Sequence, residues 1–404
     1  MNKKSTVDLI HGPILPALLS FALPILLSNI FQQLYNTADI LIVGRFLGPD
    51  SLAAVGATTA IFDLIIGFAL GVGNGMGVVI ARYYGARNFS KIKEAVAATW
   101  ILGALLSVIV MAIGFVGLYP LLQYLETPTE ILPQSYEYIS MIVSCVGVSF
   151  AYNLFAGLLR SVGDSLAALG FLIFSAIVNV ILDLYFITQL QLGVQSAGLA
   201  TIISQGLSAI LCYLYIRKSV PELLPRLKDF KWNKALYVDL LEQGLAMGLM
   251  GSIVSIGSVI LQSSVNSFGA VIISAQTAAR RIMAFALLPM TAISASMTTF
   301  ISQNFGAKRP ERIVQGLRLG SYLSMSWASF ACIFLFFASP TLVSFLASST
   351  DGYLIENGTL YLRISSVFYP FLSLLLIYRN SLQGLGQKFL PLVSSFIELF
   401  GKIV

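Results

Sequence analysis

The chain has 404 residues, of which 57% are hydrophobic and only 10% charged, against roughly 25% charged in a soluble domain. A water-soluble fold could not hide so much apolar surface, so the excess faces lipid. The formal net charge of +6 raises nucleic acid as a partner, but the distribution of the basic residues argues against it.

Apolar runs long enough to cross a bilayer as helices fall at 14–44, 52–80, 95–119, 134–158, 167–188 and 196–216. After a polar connector they resume at 238–266, 271–303, 314–338 and 356–379, with an incomplete run from 389 to the end. Because such runs continue along the whole chain, no cleaved signal peptide is expected. Two phrases recur. Tyr84-Gly85-Ala86-Arg87 followed by Ile92 returns as Phe305-Gly306-Ala307-Lys308 followed by Ile313, so that Gly85 falls on Gly306. Leu159 to Gly163 resembles Leu382 to Gly386, and Tyr138 falls on Tyr361 in the same register.

Two homologous halves of spanning helices are the signature of a transporter whose substrate site lies between them. The predicted fold is an all-α membrane protein of two homologous six-helix lobes. These are residues 1–218, a cytoplasmic connector at 219–236, and a second lobe at 237–404 with about four and a half helices present. In the register of the repeat the last helix of the second lobe would end at roughly position 439. The eleventh helix is therefore expected to be cut short and the twelfth to be missing.

Charge sets the topology. With the amino terminus in the cytoplasm, Lys3, Lys4, Arg82, Arg87, Lys91, Lys93, Arg160, six residues of the connector region from Arg217 to Lys234, Lys308, Arg309, Arg312, Arg318, Arg379 and Lys388 fall inside. That is nineteen of the 24 lysines and arginines. Glu126, Glu130, Asp351 and Glu356 fall outside. The positive-inside rule accounts for this asymmetry, which makes the basic charge a topological signal. The expected location is the cytoplasmic membrane, multi-pass, with the lipid bilayer and a small molecule as partners and no nucleic acid.

Ionisable groups within a spanning segment cost a few kcal/mol and default to function. Asp39 shares one face of the first helix with Gln32 and Asn36, at i, i+4, i+7 spacing. Asp183 in the fifth helix shares a face with Asn179, one turn before it. Thr201 in the sixth helix and Asn153 in the fourth add a hydroxyl and an amide at comparable depth. Inert packing could use Asn or Ser instead of the acids. Two carboxyls in one low-dielectric pocket do not both ionise easily, so the pair should titrate as a unit. The same oxygens suit Na⁺, a hard cation. Asp39, Asn179, Asp183 and Thr201 are therefore the expected cation-coupling set, for H⁺ or Na⁺, and no other cofactor is expected.

Other residues are read as structural. Asp63 could pair across the halves with Arg280 or Arg281, and Glu398 with Lys402 one turn on. Cys145, Cys212 and Cys332 lack metal-ligand spacing, and His11, the only histidine, sits in the amino-terminal tail. No catalytic constellation lies within the spans, so the chain is not expected to be an enzyme. Gly71 to Gly77 superficially resembles a phosphate loop but lies within an apolar helix without a preceding strand, which indicates close helix packing. Pro24 and Pro289 interrupt the first and eighth helices and permit kinks.

These features resemble the multidrug and toxic compound extrusion (MATE) transporters. The resemblance rests on Ala22-Leu23-Pro24-Ile25, Asn36-Thr37-Ala38-Asp39, Gly44-Arg45-Phe46-Leu47-Gly48, Leu52-Ala53-Ala54-Val55-Gly56, the two Gly-Ala phrases and Arg160-Ser161-Val162-Gly163-Asp164. It implies twelve helices in two six-helix lobes around a central cleft that opens alternately to the two sides. It also implies that Asp39, Asn179, Asp183 and Thr201 match the coupling residues of the amino-terminal lobe, and that Gln32 and Tyr35 match positions lining its cavity; Asn36 and Asn153, read from the residues, are expected in the same cavity. Pro24 matches a hinge proline. The seventh-helix acid of one branch is replaced here by the Ser252-Ile253-Val254-Ser255 neighbourhood, which assigns coupling to the amino-terminal lobe.

The function expected is a secondary antiporter, a monomer, that exports organic, cationic and amphipathic compounds in exchange for H⁺ or Na⁺ by alternating access. Two alternatives are a flippase for lipid-linked oligosaccharides, with Arg280 and Arg281 as its basic pair, and an inactive truncated transporter.

Overall fold

The computed structural model describes residues 6–125, 127–266, 268–347 and 351–403; Lys3, Lys4 and Glu126 of the charge count lie outside them. Among the described residues all regular structure is helical. The first half comprises α1 (Ile14–Phe46), α2 (Pro49–Gly85), α3 (Phe89–Tyr124), α4 (Leu132–Ser144), α5 (Val146–Ser161), α6 (Ser165–Thr188) and α7 (Gln195–Ser219). The second comprises α8 (Lys234–Asn266), α9 (Ala270–Gly306), α10 (Pro310–Ala347), α11 (Gly352–Val367), α12 (Tyr369–Gly384) and α13 (Phe389–Ile403). Of these, eight helices are long and apolar enough to cross a membrane on their own.

The runs that read as single spans at 134–158 and 356–379 are broken. α4 and α5 meet at 51° and α11 and α12 at 50°. The breaks fall at Cys145 and Phe368, which correspond in the register that matches Gly163 to Gly386. At the second break Pro370 has no N–H to give to the preceding turn. The prolines at 24 and 289 lie inside their helices. Both α1 and α9 continue through them as unbroken helices, as spanning helices can when neighbours satisfy the freed backbone groups.

The repeat is also written in backbone geometry. Gly48 (φ 88) precedes α2 and Gly269 (φ 87) precedes α9. Arg87 (φ 53) pairs with Lys308 (φ 56), and Gly163 (φ 90) with Gly386 (φ 84). These left-handed positions end or start equivalent helices, and glycine serves where a Cβ would be strained. Caps are local: Asn88 Oδ1 accepts from Lys91 N at 3.1 Å at the start of α3, and Asp164 Oδ1 from Ala167 N at 3.1 Å at the start of α6.

The halves meet at one end of the bundle, the face that carries the amino-terminal segment. Gly71 and Gly75 of α2 lie against the backbone of α8 at Met247–Gly248 and Gln243–Gly244, so the glycine run serves helix contact. Leu9, Leu18, Phe21 and Ile25 form a core with Met297, Phe300 and Ile301 of α9. Ser302 Oγ donates to Val78 O at 2.6 Å. Arg82 Nη1 pairs with Asp239 at 3.2 Å, and Lys388 Nζ bridges Asp239 at 2.8 Å and Glu242 at 2.7 Å. Residues 7–12 form a strap: Val7 N donates to Gly163 O at 3.0 Å, Asn304 Nδ2 to Leu9 O at 3.0 Å, and Arg312 Nη1 to Gly12 O at 2.8 Å.

Several expected pairings change. Asp63 stands exposed on α2, and among the described residues no ion pair joins it to Arg280 or Arg281. Glu398 pairs with Lys402 at 3.1 Å as expected, and also with Arg379 at 3.1 Å. Arg379, counted as a loop charge, is buried in α12 because α13 packs over it.

Candidate functional site

Three helices of the first lobe bring the predicted coupling residues together. α1 presents Asp39, α6 presents Asn179 and Asp183 one turn apart, and α7 presents Thr201. Asn179, Asp183 and Thr201 are each at most 2% exposed. Thr201 Oγ1 donates back to Ala197 O at 3.0 Å, accepts from Asn179 Nδ2 at 3.3 Å, and shares a hydrogen bond with Tyr35 OH at 3.0 Å. The carboxyl groups of Asp39 and Asp183 lie within hydrogen-bonding reach of each other.

Among the described residues no donor serves the buried oxygens of those carboxyls. Asp39 Oδ1, both Asp183 oxygens and Asn179 Oδ1 are buried without a hydrogen-bond partner. Ionised carboxylates only accept hydrogen bonds. Two of them face to face in a low-dielectric interior repel each other and lose their hydration, at several kcal/mol per ion. One proton between them removes the repulsion and one of the two buried charges. A small hard cation would do the same, since two carboxylates, an amide oxygen and a hydroxyl form an oxygen donor set. The residues present therefore fit either H⁺ or Na⁺.

Beside this site lies a cavity of about 280 Å³. Gln32, Tyr35 and Asn153 line it as expected. Tyr35 is the physical link between the two places, with its ring in the cavity wall and its hydroxyl on Thr201. Asn36 is not a lining residue, and neither are Asp39 and Asp183. The stripe at 32, 36 and 39 shares one face, but a helix rises by about 1.5 Å per residue, so Asp39 stands roughly 10 Å beyond Gln32. The stripe therefore leads out of the cavity to the acid pair. The second lobe supplies Met247 of α8, Thr298 of α9 and Asn380 of α12, with Thr298 Oγ1 donating to Asn380 Oδ1 at 3.0 Å. Arg280 and Arg281 are not lining residues.

Charge counting assigns Arg160 to the cytoplasmic loops, yet it lines the cavity and donates from Nη2 to Asn74 Oδ1 at 2.9 Å. Its place at the end of an apolar run gives no sign of which way it turns. The ion cluster of Arg82, Asp239, Glu242 and Lys388 also escapes a sequence reading, since Lys388 lies far along the chain from Asp239 and Glu242 and Arg82 reaches Asp239 only through the lobe contact.

The MatE family model matches twice, over residues 24–185 and 246–404, once in each half. The chain belongs to the MatE family of transporters. It is therefore a multi-pass membrane protein. Among its relatives, the probable multidrug resistance protein YpnP of Bacillus subtilis is 27% identical over 395 residues, covering 97% of this chain and 87% of that protein. The FAD transporter of Shewanella oneidensis is 28% identical over 409 residues, covering 98% and 88%. A solved structure described as the outward-facing conformation of a multidrug resistance MATE family transporter has a TM-score of 0.88 at 24% identity, covering 98% of this chain and 88% of that one. That likeness concerns the fold.

Proposed function

We propose that this MatE chain is a secondary antiporter of the cell membrane that exports amphipathic organic compounds in exchange for H⁺ or Na⁺. One observation carries the reading: four buried oxygens of Asp39, Asn179 and Asp183 have no donor among the described residues, and a proton shared by the acids or a Na⁺ bound among the oxygens would supply a partner. With the ion bound, the lobes close at the amino-terminal face and the cavity is reached from the other side. With both acids ionised, mutual repulsion draws α1 away from α6. The movement is taken up at Pro24, where the helix lacks a backbone hydrogen bond, and is passed to the cavity through Tyr35. Ion and cargo thus select different shapes of one lobe, the minimal logic of exchange.

The lobe limits 1–218 and 237–404, the monomeric state and the cytoplasmic side of the amino terminus belong to this proposal. The cluster of Arg82, Arg87, Lys91, Lys93, Lys308 and Arg309 around the amino-terminal face supports that orientation. The names of the relatives support organic cargo. A cationic preference has no carboxylate in the cavity wall to carry it, so the proposal is confined to amphipathic compounds.

The test is dye flux in proteoliposomes, with pH and Na⁺ gradients imposed separately. The wild type should respond to at least one gradient. Asp39→Asn and Asp183→Asn should each lose gradient-driven export by tenfold or more while the protein still folds. Undiminished export by both variants would overturn the coupling assignment.

A further inference from the structure

Arg160 is the one charged side chain among the described residues lining the cavity, and no Asp or Glu accompanies it. The guanidinium has five N–H donors. Its sole hydrogen bond among the described residues is that from Nη2 to Asn74 Oδ1 at 2.9 Å, and it takes part in none of the ion pairs between described residues. An arginine in a spanning segment normally pairs with an acid or with backbone carbonyls. Arg160 sits in the last turn of α5, where the carbonyl end of the helix favours a cation, yet its side chain reaches across to α2.

The architecture does not require a charge there. In the repeat register Arg160 corresponds to Gln383, a buried neutral residue whose Nε2 contacts Met250 Sδ at 3.0 Å. Two copies of one fold therefore form with and without the guanidinium, and only the charged copy opens on the cavity. Apolar side chains, among them Ile25, Leu70, Val78 and Met247, form other parts of the wall. One fixed cation in a chamber with neutral polar and apolar walls is how a protein orients an amphipathic molecule with a single charged group. The planar guanidinium fork matches the paired oxygens of a carboxylate, sulfonate or phosphate.

We propose that Arg160, positioned by Asn74, anchors an anionic group of the compounds held in the cavity, so that the cargo includes amphipathic organic anions and zwitterions. This rests on the reading of the cavity as the cargo chamber and not on which ion drives transport. The anionic group belongs to a soluble compound or to a lipid headgroup, since both present the same oxygens.

The test is equilibrium binding to the full chain in phosphatidylcholine nanodiscs, without any gradient, read by fluorescence anisotropy. The probes are anionic fluorescein and cationic rhodamine 6G. Arg160→Gln should weaken fluorescein binding tenfold or more and leave rhodamine 6G within about twofold. Arg160→Lys, which keeps the charge but loses the fork, should recover only part of the fluorescein affinity. Replacing a third of the lipid with phosphatidylglycerol should leave fluorescein binding unchanged if the natural ligand is soluble. Competition would assign the site to a lipid headgroup and would support the same anion chemistry. Equal loss of both dyes in Arg160→Gln, an unchanged fluorescein affinity, or a wild type that binds only the cation would each overturn the proposal. Failure of the antiport reading would appear only in the flux assay, with this binding pattern intact.

Discussion

In the proposed cycle the contact between α2 and α8 lets the amino-terminal face close, and a glycine series along it has calculable consequences. A Cβ on Gly71 would lie 2.6 Å from both Gly248 Cα and Met247 O, and 2.8 Å from Gly248 N. All three are backbone atoms and cannot rotate aside, so Gly71→Ala must push the two helices apart. Overpacking of this kind costs about 1–3 kcal/mol. The cost falls on the closed arrangement alone, because the contact is absent once the lobes part at this face. At about 1.4 kcal/mol per factor of ten, the ratio of closed to parted molecules should fall roughly 5- to 140-fold. Gly248→Ala meets chiefly the Phe68 ring, at 2.8 and 2.9 Å, which can turn, so its shift should be smaller. Gly67→Ala meets nothing within 4 Å and should leave the ratio unchanged while gaining up to about 1 kcal/mol of helix propensity. Spin labels at Ser90→Cys and Glu311→Cys, both exposed and on opposite lobes, report the separation by pulsed electron resonance on an otherwise cysteine-free background. Equal distance distributions for Gly71→Ala and Gly67→Ala would refute the close crossing.

Thr201→Ala removes the partner of both Tyr35 OH and Asn179 Nδ2. At about 1–3 kcal/mol for a buried group left unsatisfied, the apparent affinity for the coupling ion should fall severalfold or more, read from export rate against pH or Na⁺. Arg312→Ala deletes donors to Gly12 O, Leu9 O and Asn304 Oδ1, so amide exchange of the strap at residues 7–12 should quicken while that of α2 stays the same. At Lys388, burial favours the neutral amine, but hydrogen bonds and charge from Asp239 and Glu242 outweigh it and raise its pKa above the ordinary lysine value. A raised pKa means that this stabilisation is complete below the ordinary value and is lost only as pH rises through the folded one. Lys388, which holds Asp239 from within the second lobe, should therefore add no pH dependence to lobe closure up to about pH 9, whereas Asp239→Asn, which removes the partner of Arg82 across the lobes, should loosen closure throughout, as the same spin labels would show.

Much of the fold is legible in the sequence because hydrocarbon leaves few alternatives. A chain this apolar must satisfy its backbone within helices, so the spans, their duplication and the cost of Asp39 and Asp183 can be read from order and spacing. The acid pair is likewise legible, since an i, i+4, i+7 stripe and an i, i+4 pair each define a face. What linear order does not contain is how one helix face is turned towards another. The rotation of α1 against α7 puts the Tyr35 hydroxyl on Thr201, and the axial rise of α1 carries Asn36 past the cavity that Gln32 lines. The direction of Arg160 is seen only in its hydrogen bond to Asn74 on α2, and counting charges by loop assigns it to water. The pairing of Arg82 with Asp239 arises only when the glycines of α2 bring the lobes to backbone contact. Side-chain type and period are local properties of a chain, whereas a shared cavity is set by packing between segments hundreds of residues apart.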